Sequence, residues 1–245
     1  MRYFLEFAYN GTRFSGFQIQ PNAFSVQEAV QQALSTILRS PIEIVGCGRT
    51  DAGVHALQYY AHFDSPKPVP SKFVYALNAL LKRDVAIYRC IPVEDDAHAR
   101  FDACSRSYIY HIDTRPNPFR QETAFYYPHA YKADTGRMQE AAKLLLEYKE
   151  FDTFCKTGTD ANTRLCDLRV SEWTFEPDRW AYRVTSDRFL RGMIRLIVGM
   201  CLQVGSGKIS LAELRDAMDN QLALKQALSA PPEGLFLTDI QYPYL

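Results

Sequence analysis

Cysteine is sparse and scattered: the six residues (Cys47, Cys90, Cys104, Cys155, Cys166 and Cys201) form no CxxC pair and no Cys/His cluster of zinc spacing. That excludes a zinc ribbon and argues against a disulfide framework, so the thiols read as reduced and mostly structural. Histidine is equally thin, with His55 and His62 seven apart and His98, His111 and His129 in separate segments. Neither a P-loop nor a GxGxxG occurs, and no metal or nucleotide cofactor is expected. An excess of charge is also missing, because Lys plus Arg and Asp plus Glu are 28 each. No global positive field draws in a nucleic acid, and any such binding must come from local patches. Long apolar runs are absent too: the richest, residues 189–204, contains Arg191 and Arg195 and is too short and too charged to span a bilayer. The opening "MRYFLEFAYNG" enters a strand pattern at once, without a charged leader, an apolar core and a cleavage site. A cytoplasmic protein without membrane association is expected.

What is present is an ordinary globular composition, 47% hydrophobic and 23% charged over 245 residues, enough for two intimately joined halves folded throughout. Residues 3–9 alternate as a strand. "SVQEAVQQALSTIL" follows with Ser25 and Glu28 in capping-box spacing and Val26, Val30, Ala33, Leu34 and Ile37 on one helical face. "IEIV" and "HALQYYAHF" read as strands, the second with Leu57, Tyr59, Ala61 and Phe63 on one side, before a helix over 71–82 and the strand "VAIYRCI". After "HARFDACS" the order restarts: strand "RSYIYHI", a long loop with three prolines, then a helix over 134–148 with Met138, Ala141, Leu145 and Leu146 inward. Strands "LRVSEWTFE" and "WAYRVTS", joined by a Pro-Asp turn, lead to the apolar helix "FLRGMIRLIVGMCLQVG", a short helix capped by Ser210 and Glu213, and the strand "GLFLTDI". Each half is β-α-β-β-α-β, the ferredoxin-like order, which predicts an α+β fold with an antiparallel sheet and helices on one side. Residues 1–103 form the first half and 104–245 the second.

Within this frame "VGCGRTDAGVHA" places Arg49, Thr50 and Asp51 on a tight loop between Gly46, Gly48 and Gly53. A β-turn in which Asp51 bonds its own backbone is one reading. The other is a nucleophile or general base held ionised by a cation from elsewhere. Arg191 and Arg195, four apart, share a face of the apolar helix, and Arg195, deeper in the run, is the expected partner of the carboxylate. Tyr108 and Tyr110 share a strand face near Arg100 and Arg106, an interleaving of bases and aromatics suited to single-stranded RNA, although core packing explains such tyrosines equally. Five arginines between 179 and 195, Arg188 among them, extend the basic surface.

Taken together, "FAYNGTRFSGFQIQPNAFSVQEAV", "GRTDAGVHA", "HARFDA", the Y-I-Y strand and "FLRGMIRLIVG" resemble, in order and over nearly the whole chain, the tRNA pseudouridine synthase A family. The resemblance implies the pseudouridine synthase fold, two ferredoxin-like halves in one continuous sheet. It implies an isomerase that converts uridine to pseudouridine at positions 38 to 40 of the tRNA anticodon stem-loop, a homodimer and no cofactor. By position, Asp51 matches the catalytic aspartate, Arg49 the arginine that displaces the target nucleotide, Tyr108 the tyrosine that packs on the uracil, and Arg195 the basic partner of the aspartate. Arg100, Arg106, Tyr110, Arg188 and Arg191 are the further RNA-contact candidates. Phe17 stands where the family usually has Trp, and Asp187–Arg188 where it has an Asn-Ala type pair. A non-catalytic RNA-binding module, a paralogous synthase acting on another RNA site and an aspartate-dependent hydrolase are the competing readings.

Overall fold

The computed structural model describes residues 1–81, 83–155, 163–224 and 226–245. They form a mixed α+β chain with five α-helices and mostly antiparallel strands, divided into two compact units: Met1–Cys104 with Phe236–Leu245, and Ser105–Leu235. Among the described residues no helix is long and apolar enough to cross a membrane.

In the first unit, β1 (Arg2–Tyr9) lies between β3 (His55–Asp64) and β4 (Val85–Val93), antiparallel to both, and the two-residue β2 (Val45–Gly46) pairs antiparallel with β3. The order β4-β1-β3-β2 is the split-βαβ arrangement. Helix α1 (Val26–Leu38) starts at Ser25, whose side chain accepts from the Glu28 amide, and buries Val26, Val30, Ala33 and Leu34 as the periodicity predicts. Helix α2 (Phe73–Leu80) is shorter than the 71–82 pattern suggested; Lys82 lies outside the described residues. Strand β3 departs from simple alternation. Leu57 is 54% exposed, whereas Tyr59, Ala61 and Phe63 are buried on one face and Ala56, Tyr60 and His62 on the other. Phe63 packs toward α2 through Phe73, and the opposite face is closed by Tyr242 and Tyr244 around Phe4. Those tyrosines follow β9 (Leu235–Gln241), which pairs parallel with β3 through His55↔Phe236 and Ala56↔Leu237. Residues 236–245 thus belong with the first unit, not with the half that precedes them in the chain.

In the second unit, β8 (Arg179–Ser186) lies between β5 (Ser105–Asp113) and β7 (Leu168–Phe175), antiparallel to both, and β6 (Phe125–Tyr126), from the proline-rich loop, runs parallel to β5. Helix α3 (Thr135–Leu144) is capped by Asp134, and its end tightens into a 3-10 turn over Leu145–Glu147. That tightening rotates Leu146 outward, so it is exposed while Met138, Ala141 and Leu145 are buried. Helix α4 (Met193–Gly205) is buried along most of its length, and α5 (Leu211–Asp219) carries the full Ser210/Glu213 capping box. Segment 228–230 lies tight on α4: a Cβ on Gly199 would sit 1.8 Å from the Leu228 carbonyl oxygen.

A buried histidine, His62, and a half-buried one, His111, make stability pH-dependent. His62 accepts the Ala99 amide on Nδ1; burial, with the Arg2 charge adding to it, pushes its pKa down to about 4. Burial beside Arg179 does the same to His111. Both stay neutral in the folded chain while the unfolded chain takes up protons below about pH 6.5, so their contribution is complete above that pH and is lost as pH falls toward 4. The urea midpoint should drop between pH 7.5 and pH 5, on the order of 1 kcal/mol of it from His62, and His62→Gln should flatten that slope. An unchanged slope in the variant would remove His62 from the account.

Candidate active site

The loop carrying Asp51 is built from backbone turns and held by a surrounding wall. The Val54 amide donates to the Asp51 carbonyl (3.2 Å), with Gly53 at φ +78° in the third position, as a type II turn requires. The turn is thus closed by main chain. Segment 11–17 runs alongside: Phe17 N–H donates to Thr50 C=O (3.2 Å), Gly53 N–H to Phe14 C=O (3.4 Å) and Gly11 N–H to His55 Nδ1 (3.1 Å). Gly16, at φ +90°, approaches so closely that a Cβ would lie 2.6 Å from the Thr50 oxygen. From below, the Tyr9 hydroxyl meets Thr50 Oγ1 (2.8 Å) and the Tyr59 hydroxyl donates to the Gly48 carbonyl. Phe17 stacks on Tyr59 with centroids 4.5 Å apart, so the replacement of Trp by Phe keeps the floor of the loop aromatic.

On this base Asp51 is half-buried, Thr50 buried and Arg49 exposed. Arg100, the other candidate of the first unit, is exposed with its guanidinium 5.7 Å above the Phe101 ring, which is itself 74% exposed. An exposed arginine on an exposed ring is a surface to which a base or phosphate can add.

The other candidates belong to the second unit. Tyr108 is half-buried on β5, opposite Val184, and meets the edge of Phe189 at 5.3 Å. Tyr110 is different: it is 0% exposed and its hydroxyl donates to the Pro231 carbonyl (2.8 Å). A ring without exposed surface offers no face to a base, so Tyr110 is a core residue here and not a stacking platform. Arg106 donates to the Asp187 carbonyl (2.7 Å). Asp187 Oδ1 in turn accepts from the amides of Asp167 (2.7 Å) and Arg188 (2.8 Å), tying down the turn before α4. Arg191 is not on the helix with Arg195 as its spacing suggested. Gly192, at φ +72°, breaks the chain into a turn closed by Met193 N–H on Leu190 C=O (3.2 Å), and Arg191 sits exposed on that turn. Arg195 is then not deep in the helix but in its first turn, half-buried, with Nε donating to the Ala230 carbonyl (2.6 Å) while its own carbonyl accepts the Ala230 amide (2.9 Å). The Nε bond ties the guanidinium to the 228–230 segment, and the backbone bond ties that segment to the first turn of α4.

The bracing residues Tyr9, Gly11, Gly16 and His55 escaped the sequence reading. The glycines of "AYNGTRFSG" were the available signal, since close backbone approach is one of the few demands only Gly meets. A nucleophilic role is disfavoured for Cys90, Cys166 and Cys201, because burial pushes the thiols of Cys90 and Cys201 up to about 12 and that of Cys166 up to about 11.

A sequence model described as tRNA pseudouridine synthase matches residues 7–102 and 141–243. The chain is 43% identical to a tRNA pseudouridine synthase A of Parabacteroides distasonis over 99% of this chain and 96% of that protein. It is 45% identical to one of Porphyromonas gingivalis, over 99% and 97%, and 34% identical to one of Bacillus subtilis, over 99% of both. The chain belongs to the tRNA pseudouridine synthase family.

Proposed function

We propose that the chain isomerises uridine to pseudouridine at positions 38 to 40 of the tRNA anticodon stem-loop, as a cytoplasmic homodimer, with Asp51 as the catalytic group. As a member of its family it is an isomerase acting on tRNA. The observation that carries the finer reading is the Asp51 loop: a carboxylate on a backbone turn braced from two sides by segment 11–17 and by Tyr9 and Tyr59. A pure RNA binder has little use for such a group, because a carboxylate repels phosphate.

A stacked uridine must leave its stem, at a cost of a few kcal/mol. Arg49, with Arg100, Arg106, Arg188 and Arg191, offsets that cost through phosphate and stacking contacts. In the reaction the C1′–N1 bond breaks, the base turns, C1′–C5 forms, the C5 proton leaves to solvent and N1 takes one up. Asp51 serves either by attacking the sugar or by removing a proton on the way to a glycal, Arg195 holds the carboxylate ionised, and Tyr108 keeps the uracil ring in place as it turns.

The test uses unmodified tRNA tritiated at uracil C5 and the release of label to water. Wild type should release label from tRNA with uridine at any of the three positions and none when all three are cytidine. Release that survives the triple replacement moves the target elsewhere, and tight binding without release from any tRNA leaves an RNA-binding module.

A further inference from the structure

The arginines between 179 and 195 do not form one patch. Arg179 and Arg183 point from β8 to the face opposite the helices, since the intervening Trp180, Tyr182 and Val184 are buried. The Tyr182 hydroxyl meets Ser171 Oγ, which bonds the Ala142 carbonyl of α3, so that side belongs to the core. On the other side β5 sets Asp113 opposite Arg179, and His111 opposite Ala181. Arg120, from the proline-rich loop, brings Nε to 3.1 Å from Asp113 Oδ2. Three guanidiniums and an imidazole thus share a face with the buried Asp113 and with the exposed Glu172, which β7 sets opposite Arg183.

The acids nearby match these arginines in number, but among the described residues only Arg120 of the three is held in an ion pair. Asp113 is engaged by Arg120, and its Oδ1 is buried without a hydrogen-bond partner, as is Arg179 Nε. Arg183 is exposed and forms no ion pair among the described residues; Glu172 is its neighbour across β7. Glu176 is the other acid near Arg179, whose pKa is lowered by burial and then by the Arg120 charge in spite of Asp113 and Glu176. Like charges held together and half withdrawn from water are a standing cost that a bound anion removes.

We infer that this face of the second unit is a phosphodiester site that grips the backbone of the tRNA substrate, with Arg179 and Arg183 as the contacts and Arg120 holding Asp113 out of the way. Four residues apart on a strand, the two arginines are about 13 Å apart at Cα, far enough to take separate phosphates. The inference rests on tRNA being the substrate.

The experiment measures the affinity of the full chain for unmodified tRNA between about 50 and about 200 mM salt. Arg183→Gln, at an exposed position outside the buried network, should reduce the slope of log affinity against log salt by about one, and Arg179→Gln/Arg183→Gln by about two. Neither change in slope would follow from a merely structural role. An unchanged slope and affinity in Arg183→Gln would overturn the inference, whatever the double variant does to folding. A thermal midpoint that inorganic phosphate raises in wild type and not in the double variant, with the tRNA slope unchanged, would mean a site for free anion and would overturn it as well. Tritium release by wild type separates the two readings: release with an unchanged slope sinks only the phosphate site, whereas no release sinks the proposed reaction and leaves the slopes to judge the site.

Discussion

Asp51→Asn should lower the rate of tritium release from C5-labelled tRNA by at least about 10³-fold, the scale lost with a general acid–base or nucleophilic group. The substitution keeps size and one acceptor oxygen, replaces the other oxygen by an NH2 donor and removes the charge. The turn itself is closed by main chain, the Val54 amide on the Asp51 carbonyl, and not by the ionised side chain. The fold should therefore survive, with a loss of stability on the order of 1 kcal/mol from the partners of a half-buried carboxylate. tRNA affinity should hold or rise, since a carboxylate that repels phosphate has gone. Single-turnover release rates and a binding isotherm on the same tRNA decide it. A variant that keeps more than a tenth of the wild-type rate would take Asp51 out of the chemistry and leave it as a turn residue.

Gly11→Ala should be the most damaging single methyl in the first unit. A Cβ there would lie 2.0 Å from the Val54 carbonyl oxygen and 2.6 Å from its carbon, and both are backbone atoms that no rotamer change can clear. Either segment 11–17 or the loop must move. Overpacking of this kind costs about 1–3 kcal/mol, and the Gly11 amide bond to His55 Nδ1 is lost with it. A fall of several degrees in the thermal midpoint follows, at about 2–4 °C per kcal/mol for chains of this size. Activity should fall further than stability explains, because Val54 closes the turn that carries Asp51 and a shift of about 1 Å at a catalytic group costs on the order of 10²-fold. Release rates measured well below the midpoint separate the two effects. Loss of stability with full activity would show that the loop is not positioned through Gly11.

Local signals carried the sequence reading far. The Ser25 and Ser210 caps, the apolar stripes of α1 and α4, and the glycines around Asp51 are all features of neighbours within a few residues, where period and turn chemistry act directly. Leu57 and Leu146 depart from their patterns for the same reason: period alone does not show where a strand loses its cover or where a helix tightens into a 3-10 turn. The spacing of Arg191 from Arg195 puts both on one helix, yet Gly192 sets the start of α4 after Arg191.

The sequence by itself determined the element order, the small-residue loop with its single carboxylate, and the membership of the family that these motifs signalled. Each depends on contacts between residues close in the chain or on the residues themselves. Only the tertiary structure decided that Phe236 and Leu237 pair with His55 and Ala56, that Gly11 and Phe17 brace the Asp51 loop, that Tyr110 is sealed in the core while Tyr108 keeps exposed surface, and that Arg179 and Arg183 face outward around Asp113. These are matters of pairing and burial between segments tens to hundreds of residues apart. Many partners satisfy the same local pattern, and packing of the whole chain selects among them.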